Sequence, residues 1–245
     1  MSDDNSETTP VQFSKSATGY GPIITTILTA VAVLLPQFFI GIVLLIPYSL
    51  GLKINEDSLA YVFVLNALIE TISVGLIYLF LRMQKKTLGS LFGKVKKWWH
   101  FWLVPLAFAC YFACLLVAYG IVERYFTTVN LEQVQENPFK QAAGHGEIVL
   151  AFFALVVITP IVEELIFRGF LYKGLKSNMP KLLAAMLTSA LFALAHGQLN
   201  VGIDTFILSM FLILLLEKTD SLIPSIMLHA LKNAVAFVAI FSGKF

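Results

Sequence analysis

Three ionisable side chains crowd one apolar stretch of this 245-residue chain: Glu163, Glu164 and Arg168, inside residues 148–172. An ionised group at the centre of a bilayer costs several kcal/mol, roughly 2.5–3.5 on insertion scales. On a helix, Glu164 and Arg168 are neighbours at i,i+4. Glu163 points roughly 100° away from that pair. One acid can then be held ionised by arginine while the other faces a cavity and serves as a general base. The same three residues also read as a structural ion-pair cluster that locks helices together.

Two later segments carry polar groups of the right type to complete a site. Phe192 and His196 are spaced i,i+4, and so are His229 and Asn233. Taken alone, His196 reads as an interfacial histidine bonded to a carbonyl. His229 and Asn233 share a helix face, so both can address one bound atom or simply hydrogen-bond between helices. Three polar clusters on separate apolar segments point together to a single site more than to three unrelated clasps.

The elements that must position these groups are membrane helices. Apolar residues make up 58% of the chain and charged residues 13%, against roughly 45–50% and 25% in soluble domains. The apolar content falls into stretches long enough to cross ~30 Å of hydrocarbon. Backbone groups there must satisfy one another, which selects helices. The expectation is an all-α, polytopic transmembrane bundle of about seven spans: 22–50, 59–81, 101–122, 148–178, 181–196, 205–216 and 222–241. Residues 1–20 read as a polar tail, 21–147 as amino-terminal helices and loops, and 148–245 as the core that carries the site, all within one integral-membrane domain. The 22–50 run, with Pro36 and Pro47, leaves open one helix or two.

Basic residues set the orientation. Lys15, the 82–97 loop, Arg168, Lys173, Lys176, Lys181 and Lys218 fall on one side, against Lys53, Arg124, Lys140 and Lys244 on the other. This predicts the amino terminus inside. Residues 1–20 lack a basic signal-peptide start and are expected to be an uncleaved, disordered cytoplasmic tail. The basic residues form no binding stripe, so nucleic acid is not an expected partner. Cys110 and Cys114, four apart on one span, are expected to pack as small buried residues.

The ordered set Glu-Glu-x-x-x-Arg (163–168), Phe-x-x-x-His (192–196) and His-x-x-x-Asn (229–233) resembles the CPBP family. These are the CAAX proteases and bacteriocin-processing proteins, also called Abi, related to the type II CAAX prenyl endopeptidases. The resemblance covers residues 148–241. It implies an intramembrane, glutamic-type endopeptidase in which Glu163 activates water and His196 holds that water or the reacting carbonyl. His229 and Asn233 would stabilise the oxyanion, with Glu164, Arg168 and Phe192 in support. It implies no cofactor, with zinc on Glu163, His196 and His229 as the alternative. The implied partners are the lipid bilayer and a membrane-associated protein or peptide substrate, and the implied location is the bacterial cell membrane. A non-catalytic immunity or scaffolding protein is the competing function. A proton-coupled transporter is disfavoured because no repeated halves are visible.

Some features depart from that family. The segment 205–211 has no glycine and is expected to narrow the cavity, and Lys232 stands inside the third motif. Asn66, Glu70 and Ser73 share one face of the second span, where Glu70 reads as an interhelical clasp, as a residue that helps close the cavity, or as a partner for Lys232 or Arg168. Asp204 reads as a helix cap. By depth, His229 reaches Glu163 and His196 only if the turn before 222 is recessed or its helix is tilted.

Overall fold

A computed structural model describes residues 18–50, 58–126, 129–131, 139, 142 and 144–242, apart from the side chains of 46–48. Most of the expected tail, most of the stretch between the first two expected spans, and Lys15, Lys53, Lys140 and Lys244 lie outside the described residues. The described chain is nearly all helical. Six helices are long and apolar enough to cross a membrane, as their composition demands: α1 Pro22–Ser49, α2 Leu59–Met83, α3 Trp98–Tyr125, α4 His145–Lys176, α6 Leu199–Thr219 and α7 Leu222–Phe241. The expected fifth span is the shorter α5, Lys181–Leu194. At 14 residues it covers only about 21 Å, so it starts at one end of the bundle and stops inside it.

The 22–50 run is one helix, with Pro36 inside it. Its buried positions Thr25, Thr29, Ala32, Pro36 and Ile40 recur every three or four residues and form a single stripe. Helix α4 is the hub and packs against all six other helices except α3. Phe167, Phe170, Leu171 and Leu175 of α4 join Ile77 and Leu81 of α2 and Phe192 of α5 in the largest core. A second core joins α3, α6 and α7 through Tyr111, Leu115, Leu208, Leu212 and Leu228.

Three expectations are corrected. Cys110 and Cys114 are exposed, because α3 buries Val104, Ala107, Tyr111 and Leu115 and turns the cysteine face outward. An apolar surround can be lipid as well as protein, so small apolar residues need not point inward. Helix α6 begins at Leu199 rather than 205, which shrinks the expected polar break at 197–204 to a tight turn with Gly197 at φ 70°. Asp204 therefore lies within α6 rather than capping it. It accepts the hydroxyl of Tyr111 and pairs with Lys232 at 3.1 Å, binding α3, α6 and α7 together.

The basic segments meet at one end of the bundle. Lys173 donates to the carbonyl of Leu91, Lys96 reaches Asp220 at 3.0 Å, and Glu217 takes both Lys176 and Lys181. Gly93 abuts Ser221. Ser221 and Leu222 are fully buried beneath this loop, so the loop covers the start of α7.

Candidate active site

Local backbone geometry in α4 arises from its own sequence. Over Phe153–Ile158 and again over Glu164–Tyr172 the helix widens into π turns, a rare form found mostly at functional sites. Thr159 donates its N–H to Ala154, five residues back, so the carbonyl of Leu155 loses its α-helical donor. The donor one residue further on would be residue 160, which is proline and has no N–H. Asn233 of α7 fills the gap: its amide donates to Leu155 O at 2.9 Å. Asn233 is thus partly spent on the backbone, with one of its two N–H donors uncommitted by that bond.

The paired glutamates lie at the junction of the α and π segments. Glu164 is fully buried and its Oε1 receives both Arg168 Nη1 and His229 Nδ1 at 2.9 Å. The i,i+4 pair is formed as its spacing predicts. The bond from His229 to the same oxygen was not legible, because it depends on how α7 meets α4. Glu163 is 27% exposed in its side chain and lies 3.6 Å from His229 Nε2. His229 therefore bridges the two acids, one ring nitrogen to each.

Phe192 binds the cluster into one unit. Its ring is buried, with the Arg168 guanidinium 4.2 Å from its centroid and the rings of His196 and His229 edge-on at 4.8 and 5.9 Å. His196 lies just past the end of α5, and its Nδ1 contacts the Phe192 carbonyl at 2.8 Å. A carbonyl only accepts, so Nδ1 carries the proton and Nε2 of the neutral ring is left as an acceptor.

Beside this cluster is a cavity of about 320 Å³. Glu163 and His196 are part of its wall, together with Glu70, Asn66, Ser73, Thr159 and Gln37. His229 and Asn233 are not. Helix α6 contributes nothing to this wall, so its bulky residues do not narrow the cavity as expected. They line, with α5, a separate apolar groove. Glu70 accepts the hydroxyl of Thr159 across α2 and α4, while Lys232 is taken by Asp204. The clasp at Glu70 is formed, and its carboxylate also faces the cavity. Two signals for this wall stood in the sequence without being read as such: Pro160 in the middle of a span, and Thr159 four residues before Glu163.

Among the described residues no group of three His, Cys, Asp or Glu side chains converges as a metal site. Glu163, His196 and His229 are not drawn together as such a set in this arrangement, since His229 lies off the cavity wall that Glu163 and His196 share.

The model of one protein family, "Type II CAAX prenyl endopeptidase Rce1-like", matches residues 145–235. The chain is also similar to UPF0177 protein YxdF of Lactococcus lactis subsp. lactis (strain IL1403), at 25% identity over 150 residues, covering 60% of this chain and 81% of that protein. No solved structure matches. Across residues 145–235, which hold both glutamates, Arg168, both histidines and Asn233, this helical membrane protein matches the Rce1-like proteases, as its three motifs lead one to expect.

Proposed function

We propose that this protein is an intramembrane endopeptidase that hydrolyses peptide bonds of membrane-associated proteins or peptides, in CAAX-type processing or in bacteriocin maturation and self-immunity. The observation that carries the reading is the unequal fate of the two acids. Glu164 is sealed, with its Oε1 bonded by both Arg168 and His229, whereas Glu163 reaches a polar cavity beside His196. In this reading Glu163 takes the proton of a cavity water as its oxygen attacks the scissile carbonyl. His196 Nε2 accepts the water's second hydrogen and aims the lone pair. His229, its Nδ1–H held by Glu164, approaches Glu163 through Nε2 and would orient the base from behind the cavity wall, while Asn233 holds the α4 backbone. Removal of the base is expected to cost ~10²–10⁴-fold in rate.

The basic end of the bundle is proposed to face the cytoplasm, with the bacterial cell membrane as the location. The test is cleavage of a fluorescence-quenched peptide ending in a farnesylated Cys-aliphatic-aliphatic-X motif, and of an unprenylated membrane peptide, by protein reconstituted in liposomes. Loss of cleavage in Glu163→Gln supports the reading. Undiminished cleavage in Glu163→Ala, His196→Ala and His229→Ala alike would sink it. A folded Glu163→Gln variant that still protects cells from a bacteriocin would favour the non-catalytic immunity role.

A further inference from the structure

Glu70 lies in the middle of α2, outside residues 145–235 and their motifs. Its carboxylate lines the same cavity as Glu163 and His196. Thr159, whose hydroxyl it accepts, precedes Glu163 by four residues, one turn along the helical segment Thr159–Glu163. Glu70 thus approaches α4 beside Glu163. The other groups facing it are His196 of α5, Gln37 of α1, and Asn66 and Ser73 of its own helix. Among the described residues no cation pairs with Glu70, whereas Glu164 has Arg168 and His229. A clasp to a threonine hydroxyl needs only an acceptor, which a neutral glutamine supplies at lower cost in hydrocarbon. Placing an acid on the cavity wall is left unexplained by the clasp alone.

We propose that Glu70, contributed to the cavity by α2 beside the motif-bearing α4, is the general acid that protonates the leaving amine while Glu163 acts as base. This rests on the endopeptidase reading above. Hydrolysis needs both transfers. Glu163 takes one proton as the water oxygen bonds to the carbonyl carbon and the carbonyl electrons move onto oxygen. Collapse of that intermediate breaks the C–N bond, and the electron pair left on nitrogen takes the proton carried by the Glu70 carboxyl. Glu163 is then protonated and Glu70 ionised. A proton passing from Glu163 to Glu70 through cavity water restores both, and the net change is one water consumed per peptide bond. Thr159 is the positioning residue that aims the Glu70 carboxyl.

The test compares two quenched farnesylated peptides in liposomes, one with an amide and one with a thioester at the scissile bond. A thiolate leaves without needing a proton. Glu70→Gln is expected to lower kcat on the amide ~10²-fold or more with KM little changed, and to cleave the thioester within several-fold of wild type. Glu163→Gln is expected to lose both. Thr159→Val, which keeps the acid but releases its aim, is expected to lower amide cleavage less than Glu70→Gln does and to leave thioester cleavage within several-fold of wild type. If Glu70→Gln does not fold, Glu70→Asp serves the same comparison, with amide cleavage reduced more than thioester cleavage. Full amide cleavage by Glu70→Gln overturns the proposal, as does equal loss on both substrates, which marks a structural role. A wild-type protein that cleaves neither peptide overturns the endopeptidase reading for this substrate class, and this proposal with it. Wild-type cleavage abolished by Glu163→Gln and untouched by Glu70→Gln overturns this proposal alone.

Discussion

Replacing Glu164 by glutamine leaves the Arg168 guanidinium charged, fully buried and without its counter-ion. Breaking a buried pair from one side costs about 3–5 kcal/mol. Glu164→Gln is therefore expected to lower the melting temperature in detergent sharply. Glu163→Gln should melt close to wild type and lose cleavage instead, because Glu163 is part of a cavity wall and makes no close ion pair. Thermal melts and cleavage rates of the two variants side by side check this. Equal melting temperatures would refute the division of labour. At this scale the sequence was informative where the partners lie within one helix. The pair of Glu164 with Arg168 follows from i,i+4 spacing. The contact of His229 with both glutamates joins residues some 65 apart, and no local rule fixes it.

Helix α4 widens over Phe153–Ile158, where Pro160 removes a donor, and again over Glu164–Tyr172. The freed Leu155 carbonyl is served by Asn233. Asn233→Ala should leave that carbonyl without its side-chain donor and destabilise the protein by roughly 0.6–1.7 kcal/mol, the range found for hydrogen bonds between membrane helices. Asn233→Asp should be no better, since an ionised carboxylate cannot donate. Denaturation in mixed micelles measures both, and stability equal to wild type in Asn233→Ala would refute the role. Helix α3 supplies a contrasting case. Cys110 and Cys114 lie on its outer face, so Cys110→Leu and Cys114→Leu are expected to shift stability by less than about 0.5 kcal/mol. A large loss in either would mean that the cysteine face packs against another protein surface.

At the scale of the whole molecule, the 82–97 loop covers the turn that launches α7. Gly93 has φ 67° and ψ −168°, a region open essentially to glycine alone, and a Cβ there would lie 2.0 Å from the Asp220 carbonyl oxygen. Gly93→Ala should cost about 1–3 kcal/mol from backbone strain alone, with the clash in addition. Because the turn places α7, activity should fall together with stability, unlike in Glu163→Gln. Melting temperature and cleavage rate check this, and a variant with wild-type values for both would overturn it. The same end of the bundle carries the basic residues. A cysteine placed at Lys96, an exposed position, in a background lacking Cys110 and Cys114, should react with impermeant maleimide only from the cytoplasmic side. Labelling from the outside would reverse the proposed orientation.

The sequence by itself determined that the chain is a bundle of apolar helices, because backbone groups in hydrocarbon can satisfy one another only in that way. It also determined which polar residues matter, because an acid or arginine in a span is too costly to keep without a use. Only the tertiary structure decided that α5 stops short within the bundle, that α6 starts at Leu199, and that Glu70 shares a cavity with Glu163. Apolar patterning cannot distinguish a lipid-facing stripe from a protein-facing one, which is why Cys110 and Cys114 were misplaced. Nor can spacing along the chain say which helices touch. Convergence of Glu163, Phe192, His196 and His229 depends on how α5 and α7 pack against α4, which joins segments distant in the chain.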